Sequence, residues 1–402
     1  MTIPAKAVVS ASTAGKDKKM QDFTSADNLL RGYQRTVKCS GWKEATQKFG
    51  LNLMREIFSL QDSLRNGTYE QQKGAIFILH EQGRKRLVRA LTVRDAVMQH
   101  SLCDTVLTPA LSRYLIHDNG ASLKGKGISF TRRRFEQHLR WHYARYGKAG
   151  YVLKIDFRKY FDNIRHDVLM QEISRRVADK TVLDTIQKVL AANEHDVEHV
   201  PGINPDDVLF NALEHYNPDR PRPEKTMRIR KSVAIGAPLA QIAGIYLPTR
   251  IDTWCKHVRH VHCYDAYMDD RIIIHPDKEF LKKLLLEIKA ICKDLGIFVH
   301  DGKTQIIKLS KGFTFLKTRY ILTDGGKIIR RIPKDVLSRQ KRKMRKMAAM
   351  VRGGEISYRD FANQYKSWRG DKKRYHARKV LAEMDKLFKE LNEHGKREAD
   401  HH

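Results

Sequence analysis

The sequence predicts an α+β chain, and three observations carry that prediction. Short apolar runs end in charged or glycine turns, as in "GYVLKIDFRKYFDNI" (150–164) and "YDAYMDDRIII" (264–274). Long segments keep the 3.6-residue apolar period of an amphipathic helix, most cleanly "DKEFLKKLLLEIKAICKDLGIFV" (277–299), which ends at Gly296. Hydrophobic residues make up 41% of 402 residues, enough for a core and a soft expectation of two or three domains.

The elements follow in order. Residues 1 to about 25 are rich in Ser, Thr, Ala and Lys and read as loose. Helical spacing runs from about 26 to 70. "AIFILHEQGRKRLVRAL" (75–91) reads as strand, Gly turn and strand. "RDAVMQHSLCDTVLTPALSRYL" (94–115) returns to helical spacing, and a Gly-rich basic loop from His117 leads into a basic helix. A buried strand precedes Asp156, and Asp162 is placed to cap the helix after it. The stretch 193–226 is rich in Pro, Asn and Asp and reads as an insertion. "GAPLAQIAGIYLPTRIDTWCKHV" (236–258) reads as one helix. "KTQIIKL" and "GFTFLKTRYILT" read as strands, and from about 333 the pattern is helical and basic. Ser357 and Asp360 make a capping-box-like start. The acidic turn "LAEMDKLFKELNE" reads as a solvated face.

Charge narrows the function. Lys and Arg number 77 against 46 Asp and Glu, a net +31. Such a field suits a polyanionic partner, nucleic acid first, with a merely soluble basic protein as the plainer alternative. The five cysteines show no metal-ligand spacing and read as reduced thiols of a cytoplasmic protein. The most apolar window, 233–248, holds Pro238, Gln241 and Pro248 and falls short of the roughly 20 residues that span a membrane.

Three carboxylates stand out: Asp156 at a strand end and the pair Asp269–Asp270. Adjacent like charges repel, so acids that converge from neighbouring strands need cations. Two Mg²⁺ ions about 3.5–4 Å apart would compensate them and align a hydroxyl with a phosphate leaving group. The plainer reading is an exposed Asp turn.

Five motifs in order resemble those of reverse transcriptases, over about residues 75–390: "LKIDFRKYFDNI", "AIGAPLAQ", "AYMDD", "HDGKTQI" and "GFTFLKTRY". The resemblance implies a right-hand polymerase. Its parts would be an N-terminal extension (1–70), fingers (71–150), a palm of antiparallel strands on helices (151–330) and a helical thumb (331–402). It implies RNA-directed DNA synthesis with Mg²⁺, or Mn²⁺ in its place. Asp156, Asp269 and Asp270 would be catalytic, and with the Phe157 carbonyl would hold the metals. Phe161 takes the place of the aromatic gate against a ribose 2′-hydroxyl, or is a core aromatic. Lys303 would approach the triphosphate, or is a turn lysine. Arg86 and Arg94 are candidates to clamp the triphosphate, or to touch template phosphates, and Gln241 to line the nucleotide. Trp368 and Tyr365 would stack on nucleic acid or pack helices.

The implied partners are an RNA template, a DNA or RNA primer and deoxynucleoside triphosphates. A non-coding RNA or accessory protein is compatible with it, a membrane is not, and the oligomeric state stays open. Departures are Ala240 before Gln241, where many relatives carry Ser, and Gly244, where many carry Asn. The resemblance favours a stand-alone bacterial type, diversity-generating or defence-associated. Two rivals are a template-independent or protein-primed DNA polymerase on the same site and a non-catalytic RNA-binding protein with a degenerate palm.

Overall fold

The computed structural model describes residues 22–81, 84–199, 201–202 and 224–399. In chain order the elements are α1 (Ala26–Ser40), α2 (Glu44–Leu51), α3 (Leu53–Arg65), β1 (Ile76–Glu81), β2 (Arg84–Arg89), α4 (Val93–Leu102), α5 (Thr108–Ser112), α6 (Ile128–Tyr146), β3 (Tyr151–Ile155), α7 (His166–Ser174) and α8 (Lys180–Ala191). There follow β4 (His195–Glu198), β5 (Thr226–Ile229), α9 (Pro238–Tyr246), α10 (Thr249–Thr253), β6 (Tyr264–Tyr267), β7 (Asp270–His275), α11 (Lys278–Asp294), β8 (Gln305–Lys308), β9 (Phe313–Phe315), β10 (Thr318–Leu322), β11 (Ile328–Arg331), α12 (Lys334–Arg352), α13 (Tyr358–Lys372) and α14 (Arg378–Ala399). They divide into two compact units. One takes Met1–Arg113, Met170–Glu194 and Val233–Ile242; the other takes Tyr114–Leu169, His195–Ser232 and Ala243–His402.

In the first unit α1 packs closely on α4. A Cβ on Gly32 would lie 2.4 Å from the Val97 carbonyl oxygen, so only glycine permits the approach. Leu29, Ile57, Leu60, Val97, Met98 and Leu102 form its buried centre. Buried Asp95 accepts from the Tyr69 hydroxyl (2.8 Å), the Thr92 hydroxyl (2.7 Å) and the Gln72 amide (3.1 Å), which meets its need for partners. β1 and β2 pair antiparallel as expected, and the Gly83 turn between them lies outside the described residues.

The second unit holds a four-stranded sheet in the order β6-β7-β3-β8. All of its pairings are antiparallel. α6 lays Phe135 and Leu139 into a core with Val152, Ile272, Ile274, Phe313, Phe315 and Tyr320. β9, β10 and β11 form a second sheet. The β9–β10 turn places Leu316 (φ 44) and Lys317 (φ 58) in the left-handed region, the geometry a tight two-residue hairpin requires. β4 and β5 pair at the flanks of the expected insertion, whose interior, 203–223, lies outside the described residues.

α12, α13 and α14 share a core of Met344, Ala348, Phe361, Tyr365 and Met384, with Trp368 against it. Tyr365 and Trp368 are thus packing residues here. Ser357 and Asp360 form the expected capping box.

Three expectations need correction. Asp162 lies in a 3₁₀ turn, Phe161–Asn163, and α7 begins only at His166, so Asp162 does not cap it. The segment 236–258 is two helices, because Pro248 has no N–H to continue α9 and instead caps α10. The acidic stretch of α14 is not a purely solvated face: Met384 is fully buried, and Asp385 binds Arg369 Nε (2.7 Å) and the Tyr365 hydroxyl (2.5 Å). Among the described residues, no helix is long and apolar enough to cross a membrane.

Candidate active site

The antiparallel register builds the site. β3 pairs with β7 from Tyr151↔His275 to Ile155↔Arg271. Continued by one residue, the ladder sets Asp156 abreast of Asp270. β6 and β7 close on Tyr267↔Asp270, which leaves a two-residue loop, Met268–Asp269. Strand register therefore sets Asp156 beside the Asp269–Asp270 turn, more than a hundred residues away in sequence.

The segment 298–304 wraps the strand end at Asp156. The His300 amide donates to the Asp156 carbonyl (2.8 Å), the Arg158 amide donates to the Phe298 carbonyl (2.7 Å), and the Asp156 amide donates to the Thr304 hydroxyl (3.3 Å). Lys303 Nζ stands 3.2 Å from Asp156 Oδ2. The lysine is well exposed, so this pair holds weakly.

Burial, then the neighbouring Asp269 and Asp156 carboxylates, pushes Asp270 up to about 6, and Lys154 and Arg271 offset only part of that. The carboxylates on these adjoining strand ends offer hard oxygen donors, the type that suits divalent magnesium or manganese.

Phe157 is buried and bridges Val299. Phe161 is half-buried, with its ring edge-on to Tyr160 at 5.3 Å. Behind it is Gly244, where a Cβ would lie 2.8 Å from the Phe161 ring, while the Tyr160 hydroxyl donates to the Gly244 carbonyl (2.9 Å). Glycine at 244 makes the seat for that ring.

The three acids, Phe157, Phe161 and Lys303 all belong to the second unit; Arg86, Arg94 and Gln241 belong to the first. Arg94 donates to Ser63 Oγ (2.7 Å) and lies over the Tyr69 ring at 5.2 Å. Gln241 is exposed on α9. Arg86 pairs with Leu79 in the ribbon, and its side chain lies outside the described residues.

Two features escaped the sequence reading. Arg271, directly after the aspartate pair, is fully buried with Asp252. A charged residue inside the apolar run "DDRIII" was the signal for it. The other is Asp118, His138 and Asp265, whose ligand atoms lie within 4.8 Å of one another, unlike those of any other such group among the described residues. His138 Nδ1 is 2.8 Å from Asp265 Oδ2, and its Nε2 is 3.6 Å from Asp118 Oδ2. Arg134 (2.7 Å) and Lys256 (3.2 Å) reach Asp118 as well. Burial works against the Asp118 charge, but Arg134, His138 and Lys256 outweigh it and hold the carboxyl at about 2. A metal ion there would compete with two resident cations. No sequence signal joins residues so far apart.

The antiparallel sheet carries a two-residue hairpin beside a central strand, with α6 and α11 packed on it. The family model of the reverse transcriptases (RNA-dependent DNA polymerases) matches residues 86–320, over half of the chain, and the chain belongs to that family. Its members use divalent metal ions. The chain is 24% identical over 152 residues to a putative COX1/OXI3 intron 1 protein of Saccharomyces cerevisiae, covering 37% of this chain and 17% of that one. Solved structures similar to it include a telomerase from Candida albicans in complex with a fragment of telomeric RNA (14% identity, TM-score 0.46, 81% of this chain and 55% of that one). Another is apo telomerase from Candida tropicalis truncated of its C-terminal domain (13%, TM-score 0.46, 70% and 60%). The chain thus spans under a fifth of the curated relative and somewhat over half of these solved chains.

Proposed function

We propose that this chain is an RNA-directed DNA polymerase that extends a primer by nucleotidyl transfer at Asp156, Asp269 and Asp270. The observation that carries the reading is the β3–β7 register, which brings Asp156 level with Asp270 beside the Asp269 turn, in a chain of this family. The three carboxylates, with the Phe157 carbonyl, would hold two Mg²⁺ ions. Bound there, the metals would neutralise charge on the phosphates and lower the pKa of the attacking hydroxyl.

The remaining work falls to the chain. Lys303 can exchange its Asp156 partner for a triphosphate oxygen, because its exposed ion pair is weak. The Phe161 ring, seated on Gly244, would fill the space of a ribose 2′-hydroxyl and so select deoxynucleotides. Arg86, Arg94 and Gln241 are the proposed contacts to triphosphate and nucleotide. The segments 71–150, 151–330 and 331–402 would serve as fingers, palm and thumb. The +31 charge favours an RNA template and a nucleic-acid primer. A bacterial or phage retroelement or defence system is the setting we propose: the motif "IGAPLAQ" favours the diversity-generating type, the N-terminal segment and the insertion near 193–226 the unclassified groups.

Primer extension on a homopolymer RNA tests the reading. Asp156→Ala and Asp269→Ala should each abolish incorporation while the circular dichroism spectrum stays unchanged. Incorporation near wild type by either folded variant would refute the site, and incorporation independent of template would refute the copying activity.

A further inference from the structure

We propose that Arg271 is the positioning residue of the catalytic turn, tying the Met268–Asp269 loop and the Asp156–Phe157 strand end to a buried anchor at Asp252. The inference rests on the reading of Asp156, Asp269 and Asp270 as the metal-holding set.

Side chains alternate along β7, so Arg271 projects to the face opposite Asp270. It is wholly buried, with Nε 3.2 Å from Asp252 Oδ1. Its Nη1 donates to the Met268 carbonyl. Its guanidinium carbon lies 5.1 Å from the centre of the Phe157 ring, next in sequence to Asp156. Asp252 in turn accepts from the Tyr264 hydroxyl at 2.5 Å, in β6, the other strand of the hairpin. One guanidinium thus touches both segments that carry the acids.

Two further observations argue for positioning over simple stabilisation. Met268 has φ 52, a left-handed conformation that costs a non-glycine residue about 1–3 kcal/mol and persists only where its surroundings hold it. Two-residue hairpin loops ordinarily use Gly, Asn or Asp there, so a methionine needs an external hold. The Arg271 bond to its carbonyl is that hold. In addition, Arg271 Nη2 and Asp252 Oδ2 have no hydrogen-bonding partner among the described residues. A buried ion pair with unsatisfied atoms is a poor stabilising device compared with apolar packing. What it supplies is direction: a rigid planar fork fixes the angle between its bonds to a carboxylate and a carbonyl, which a rotating lysine ammonium does not.

The test compares wild type with Arg271→Lys, which keeps the charge, and with Arg271→Met/Asp252→Asn, which removes both charges. Mn²⁺ binding is titrated through the electron paramagnetic resonance signal of the free ion, and primer extension supplies kcat and KM. In folded variants the Mn²⁺ midpoint should rise and kcat fall, each by about 10–100-fold, the loss typical of residues that orient metal ligands. KM for primer–template should stay unchanged. A folded variant with the wild-type Mn²⁺ midpoint overturns the proposal, and so does loss of the fold in both variants, which would make Arg271 a core stabiliser. Asp269→Ala is the control. If it binds Mn²⁺ and incorporates nucleotides like wild type, the reading of the site itself has failed, whatever Arg271 does.

Discussion

At the scale of the residue, Asp270 is held in an unfavourable charge state. Its carboxyl is raised to about 6 by burial and its acidic neighbours. The folded chain therefore binds a proton there more tightly than the unfolded chain. Between about pH 4 and 6 stability falls as pH rises, and above about 6 the full penalty of about 2–3 kcal/mol applies. Asp270→Asn should accordingly unfold at a higher temperature than wild type at pH 7.5 without divalent metal, and the gain should vanish near pH 4. Equal melting temperatures at both pH values would show that Asp270 carries no such strain. Phe161 gives a second prediction. Phe161→Ala should raise the ratio of ribonucleotide to deoxynucleotide incorporation. Gly244→Ala should raise it too, because the new methyl meets the ring at 2.8 Å and must displace it. Unchanged ratios in both would leave Phe161 a packing residue.

At the scale of the element, α12 presents Arg342, Lys343, Arg345 and Lys346 as exposed side chains, while Met344 and Ala348 turn into the helical core. Arg339 is paired within the helix to Asp335 at 2.6 Å. We expect the exposed set to touch backbone phosphates, which position a duplex without reading it. Replacing Arg342, Lys343 and Lys346 together by Gln keeps helix propensity nearly constant. Binding to an RNA–DNA hybrid across a salt series should then show a log–log slope shallower by roughly 0.7–0.9 per lost contact. An unchanged slope would turn this face to solvent or a protein partner. The cap of α13 is a separate matter of stability: Ser357→Ala removes the hydroxyl that accepts from the Asp360 amide and should cost about 1 kcal/mol in urea unfolding.

At the scale of the whole molecule, +31 charges on 402 residues make nucleic-acid binding strongly salt-dependent whatever the sequence bound. Copying is a different property, because under the proposed function it needs the three acids and a template together. Poly(rA) with an oligo(dT) primer should support dTTP incorporation, and omission of the poly(rA) should remove it. Activity that survives without template would leave the palm chemistry standing but assign it to a terminal transferase.

The sequence by itself determined the α+β class, the hairpin at 264–274, the capping box at Ser357 and the family, because each rests on local period, turn chemistry or motifs of a few residues. Asp156 and the Asp269–Asp270 pair were legible as candidates for the same reason. Tertiary structure alone decided what surrounds them. That Asp156 stands level with Asp270 depends on a register between strands more than a hundred residues apart. That Arg271 lies buried under the turn depends on Asp252 arriving from α10. The Asp118–His138–Asp265 cluster and the seat of Phe161 on Gly244 likewise form only when distant segments pack. Local sequence sets dihedral preference and amphipathic period. Which charges end up sharing one low-dielectric space is set by long-range packing, and no short window of residues encodes it.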